Sequence, residues 1–229
     1  MSFATPPSSS PASAAAAPSN PAQPAPSIGS LAVVLIWLWG SAALVFAMAL
    51  IGAITRLTES GLSIMEWNLL AGTFPPLSEA EWLRVFDEYK LTGEYLKQHL
   101  GALTMEGFKQ IFWWEYIHRL WGRLIGMAFL AGLVVFAVAR FRGRWPQLSW
   151  LMPHAVFGFV LICFQGFLGW YMVSSGFDTD LIDVSAYRLA AHLSLAVIIL
   201  LYFVALGVRA RSGTLPFSAA HWLNLPTAL

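Results

Sequence analysis

A chain of 229 residues that is 58% hydrophobic, 11% charged and formally +1 lacks the polar surface a soluble globule needs. Its near-zero charge excludes a nucleic-acid partner, because no basic face is available to neutralise a phosphate backbone. A lipid bilayer is the solvent such a composition fits.

Residues 1–29 hold seven of the 13 prolines among Ala and Ser without one charge, a mixture that buries no core and sustains no helix. They are expected to be a disordered tail. The segment lacks the basic start of a secretory signal and the arginines of a transit peptide, so no cleavage is expected. Four runs then reach the roughly 20 apolar residues that a hydrocarbon core requires: 31–54, 116–139, 150–173 and 189–208. Only the second carries charge. Cys163, the single cysteine, lies in the third run, where no disulfide is possible and a buried apolar filler is expected.

The link after the second run contains Arg140, Arg142 and Arg144, the fourth run ends in Arg209 and Arg211, and the link before it carries Asp178, Asp180 and Asp183. Basic links stay in the cytoplasm. Both termini are therefore expected inside, with a long link (about 55–112) and a short one (about 174–187) outside. Within the long link, Ser78 and Glu81 have capping-box spacing, and Trp82, Val85, Phe86 and Tyr89 recur at helical spacing. They predict a short amphipathic helix on the membrane surface. A second helix is predicted from near Thr104 into the second span. Its length of about 36 residues, roughly 54 Å, carries it beyond the outer face. Phe112, Trp113 and Trp114 are expected at headgroup depth as an aromatic belt.

Depth sorts the five histidines. His99 falls in the long link, and His154 and His221 at or beyond the inner surface. His118 and His192 lie inside the second and fourth spans near the outer face, on helices that run in the same direction. Two imidazoles at one level of a bundle make a metal or haem site. The bland alternative is two unrelated histidines bonded to nearby carbonyls. Zinc is disfavoured, since no third His, Cys or Asp shares that depth.

Around His118 the sequence reads WEYIHRLWGR. Glu115 lies about 60° from His118 on the helix, and Gly122 and Gly126 continue the stripe that Glu115 begins. A flat macrocycle can press on such a strip, though the same spacing also serves plain helix packing. Arginines suit the propionates of a haem: Arg188 is one turn outward of His192, Arg56 emerges where the first span ends, and Arg119 and Arg123 sit deeper. An ion pair between Glu115 and Arg119 is the plain rival to any catalytic role for Glu115. A weak repeat links the two halves: Ile51-Gly52 with Ser60-Gly61 is echoed by Leu168-Gly169 with Ser175-Gly176, each followed by a helix bearing one histidine. The expected fold is all-α, a polytopic four-helix transmembrane bundle over residues 30–211 whose long outer link contains the amphipathic helix. Residues 212–229 form a C-terminal segment.

These stretches resemble the haem A synthase family: GAITRLTESGLSIMEW (52–67), WEYIHRLWGRLIG (114–126), PHAVFGFVLICFQGFLGWYMVSSG (153–176) and YRLAAHLSLA (187–196). The resemblance implies an oxidoreductase that converts a ring methyl of haem O to a formyl group, making haem A for cytochrome oxidase. It implies that His118 and His192 are axial ligands to the substrate haem and iron, and that Glu115 is the essential acid. Arg56, Arg119, Arg188 and Gly122 are expected around the haem on geometric grounds. Family members carry eight spans, the second four binding haem b; the end of this chain falls where that half begins. Either the chain is a fragment, or the half works with a partner or a copy of itself. The implied setting is a bacterial inner (plasma) membrane, with a haem O synthase and an electron donor as further partners. A cytochrome-b-like electron carrier without catalysis is the alternative, because two histidines saturate an iron.

Overall fold

The computed structural model describes residues 28–67, 71–177 and 182–212. The expected tail, the C-terminal segment, His221, Asp178 and Asp180 lie wholly or almost wholly outside them. Five α-helices are present, with no strand among the described residues: α1 (Ile28–Leu57), α2 (Glu79–Tyr89), α3 (Met105–Phe141), α4 (Leu151–Val173) and α5 (Ala186–Ser212). α1, α3, α4 and α5 are each long and apolar enough to cross a membrane. The chain is a polytopic membrane bundle, as the four apolar runs predict.

The four long helices form a ring in which α1 and α4 each pack against both α3 and α5. α3 and α5 therefore stand on one diagonal and run the same way. The ring is filled unevenly. Away from the long link, an apolar core joins Leu38, Val45, Phe129, Leu151 and Phe203, with Phe129 and Phe203 stacked at 4.8 Å. Close approach there depends on small residues: a Cβ at Gly158 would fall 2.8 Å from the Phe203 ring. α3 ends where Gly143 adopts φ +65, a left-handed conformation open to glycine without strain.

α2 begins at the predicted capping box, with Glu81 N–H donating to Ser78 Oγ at 3.2 Å and Ser78 N–H donating to Glu81 Oε2 at 3.1 Å. α3 begins at the predicted cap, Thr104. At 37 residues it is about 55 Å long and projects past the other helices. That projection overturns one expectation. The apolar stripe of α2 is turned onto α3, not onto a membrane: Trp82 meets Phe112 at 4.8 Å, and Phe86 meets Phe108 at 4.7 Å. Burial against a rigid helix removes that stripe from water as fully as lipid would. Phe112 is consequently inside this cap and does not join the aromatic belt, whereas Trp113 stays exposed. Cys163 also differs from expectation, lying on an exposed face of α4.

Candidate functional site

The site lies at the end of the ring that the long link covers. α1 and α4 finish there, and α3 and α5 pass it in parallel. His118 on α3 is seated against Gly52 of α1, and His192 on α5 against Gly169 of α4. A Cβ would fall 2.9 Å from His118 Cε1 at position 52 and 3.1 Å from His192 Cε1 at position 169. Both glycines belong to the repeat seen in the sequence, but there they marked symmetry only. Their physical role is to let a helix backbone touch an imidazole edge. Gly52 is about 8 Å before the end of α1, Gly169 about 6 Å before the end of α4, and His192 about 9 Å into α5, so each ring lies within two helical turns of a helix end. In both, Nδ1 is buried with no hydrogen-bond partner.

Glu115 is buried one turn from His118 and accepts three hydrogen bonds. Oε2 takes Ser63 Oγ–H at 2.7 Å and Ile64 N–H at 2.9 Å, and Oε1 takes the Arg119 guanidinium at 2.5 Å. The ion pair foreseen as a rival to catalysis is thus formed. Arg119 goes further, donating to the carbonyls of Ile64 and Glu66 and lying 5.0 Å over Trp67. Together these groups clamp the start of the long link onto α3. Ser60, Leu62 and Ser63 are buried as a result. Leu62 fills a notch at Gly176, where a Cβ would come within 2.7 Å of its Cδ2.

The other predicted residues are distributed around this mouth. Arg56 pairs with Asp183 at 2.9 Å, both about half exposed, tying α1 to the short link. Arg188 donates to the Tyr171 carbonyl at 2.8 Å and stacks 3.7 Å over the Tyr171 ring. Gly122 faces Met48 Cε at an ordinary 3.5 Å, and Gly126 faces Ile162 at 3.9 Å, so the glycine stripe meets neighbouring side chains on two sides. Sequence reasoning missed Gln165, whose amide nitrogen reaches the His192 carbonyl at 3.0 Å and ring Nε2 at 3.3 Å. It also missed Ser63. Both lay inside quoted motifs, and the signal available was the position of Gln165 one turn before Gly169.

The donor set suits a haem better than a bare ion. No group of three or more His, Cys, Asp or Glu able to hold a metal ion occurs among the described residues. Two imidazoles seated against helix backbones, an apolar bundle interior and arginines at the mouth suit an iron porphyrin with its two carboxylates.

Residues 35–227 match the family model COX15-CtaA, cytochrome oxidase assembly protein. The chain is similar to a curated "Heme A synthase" of Rhodospirillum centenum, 51% identical over 177 residues, covering 76% of this chain and 46% of that protein. Against one of Erythrobacter litoralis it is 48% identical over 181 residues, covering 76% and 51%. Against one of Nitrosospira multiformis it is 46% identical over 192 residues, covering 79% and 51%. The chain spans about half the length of the curated relatives it matches. No solved structure matches.

Proposed function

The chain belongs to the cytochrome oxidase assembly protein family (COX15-CtaA), and from that premise we propose that it is the substrate-haem half of a haem A synthase. The carrying observation is the pair of imidazoles, each set against a glycine of the repeat on parallel diagonal helices. On this reading His118 and His192 are the residues that would hold haem O through its iron. When bound, haem O supplies the iron and the ring methyl that becomes a formyl group. Glu115 is the acidic residue of the reaction. It already accepts three hydrogen bonds, so the role it fits is to stabilise positive charge developing at the ring edge. Arg188 and Arg56 are the candidates for propionates, and the buried Ser60–Ser63 stretch keeps water from the mouth. A second half carrying haem b, an electron donor and a haem O synthase complete the system. The setting proposed is a bacterial inner membrane, with the site toward the periplasm and both termini in the cytoplasm.

A bis-histidine electron carrier is the second reading. It is favoured by the complete engagement of Glu115 in holding Arg119 and the long link. The deciding experiment is pigment extraction, with reduced-minus-oxidised spectra, from cells expressing the wild type, His118→Ala, His192→Ala and Glu115→Gln. A formyl-bearing haem that disappears in Glu115→Gln supports the synthase. An unmodified haem, redox-active and equal in the wild type and Glu115→Gln, supports the carrier. Pigment indifferent to both histidines sinks both readings.

A further inference from the structure

Gln165 stands four residues before Gly169 on α4, and Met48 stands four residues before Gly52 on α1, so the two halves of the repeat place unlike groups at the same point. The difference falls on one imidazole. An amide NH2 group only donates, so the 3.3 Å contact makes His192 Nε2 the acceptor and puts the ring proton on Nδ1. The same nitrogen is anchored at 3.0 Å on the His192 carbonyl, which fixes the amide's rotation and leaves Gln165 Oε1 buried without a partner. Met48 has no donor to offer. Its methyl points at Gly122, 3.5 Å from where a Cβ would be.

A hydrogen-bond donor and an iron atom need the same lone pair on Nε2. Resting on the haem-binding reading above, we propose that Gln165 competes with iron for Nε2 of His192 and so makes His192 the releasable ligand of the pair, with His118 the retaining one. Such an asymmetry suits a site whose haem is a substrate. The product must leave, and a side chain that takes over the vacated lone pair lowers the free-energy gap between bound and released forms. A resident electron-transfer haem has no use for a competitor of this kind.

The test loads the purified full chain with ferric haem b and follows its transfer to an excess of a haem-scavenging apoglobin. Wild type, Gln165→Met and Gln165→Leu are compared, with His192→Ala as control and the visible spectrum confirming two-histidine ligation. Methionine reproduces the other half of the repeat and preserves packing, and leucine guards against any effect peculiar to the thioether. The expected result is haem loss about 3- to 10-fold slower in both variants, the worth of one hydrogen bond. Loss at the wild-type rate or faster, with two-histidine ligation intact, overturns the proposal and leaves haem binding standing. If the wild type takes up no haem that depends on His192, the haem-binding reading falls and this inference falls with it.

Discussion

Ser63 donates its hydroxyl hydrogen to Glu115 across 2.7 Å, joining the long link to a helix 52 positions later in the chain. Ile64 N–H and Arg119 share the same carboxylate. Glu115→Leu leaves the Arg119 guanidinium without its counter-charge, and the buried Ser63 hydroxyl and part-buried Ile64 N–H without their acceptor. The expected cost is about 3–5 kcal/mol, against about 1 kcal/mol for Ser63→Ala. Thermal unfolding in detergent measures both. Protease cleavage between residues 58 and 67 should appear first in Glu115→Leu.

The glycines of the repeat should separate by what they touch. Gly52→Ala brings a methyl within 2.9 Å of His118 Cε1, so that ring must shift, and Gly169→Ala within 3.1 Å of His192 Cε1, so that ring must give by a few tenths of an ångström. Gly122→Ala meets only Met48, at an ordinary 3.5 Å. The first two variants should lose most of the two-histidine haem spectrum while staying folded, and the third should keep it. A stripe of glycine that cradles a macrocycle predicts instead that Gly122→Ala is the damaging change.

Glu94 gives the cap a dependence on pH. Burial pushes its carboxyl up to about 8; the Tyr89 hydroxyl opposes this, and Glu115, Glu59 and Asp183 add to it. The folded cap therefore holds a proton that an unfolded chain releases in the ordinary carboxylate range. Stability from this group falls as pH rises from that range to about 8 and is level above it. Protection factors of α2 amides, in which intrinsic base-catalysed exchange is divided out, should fall over that window in the wild type. In Glu94→Gln that fall should vanish, with higher protection than wild type at pH near 8.

The ion pair of Arg56 and Asp183 is about half exposed on both sides and contributes little to folding, on the order of 0–1 kcal/mol. Asp183→Asn should leave thermal unfolding nearly unchanged. If Arg56 serves a haem propionate, Arg56→Gln should weaken haem retention and Asp183→Asn should not. Equal effects of the two substitutions would assign the pair to the links alone.

Local signals carried far in this chain. The spans follow from apolar length, the start of α2 from Ser78 and Glu81, the start of α3 from Thr104, and the Glu115–Arg119 pair from its spacing of four. What the sequence hid is what chain folding brings from afar. Nothing near Phe112 reveals that Trp82 will cover it, and nothing near Glu115 points to Ser63 or Ile64. Gln165 read as one polar residue in an apolar run, because its partner His192 is 27 positions away on another helix. The face of α2 was legible but its partner was not, since lipid and a projecting helix reward the same stripe.

Leu62, seated in the notch at Gly176, acts as a stopper in the neck of the bundle. On the proposed haem-binding reading, a guest as broad as a porphyrin would have to displace that side chain to enter past Gly176, whereas a route between the helices, in the plane of the bilayer, would leave it in place. The turnover of such a protein would then be governed by how readily two greasy rods part, and the composition of the surrounding lipid would set the pace.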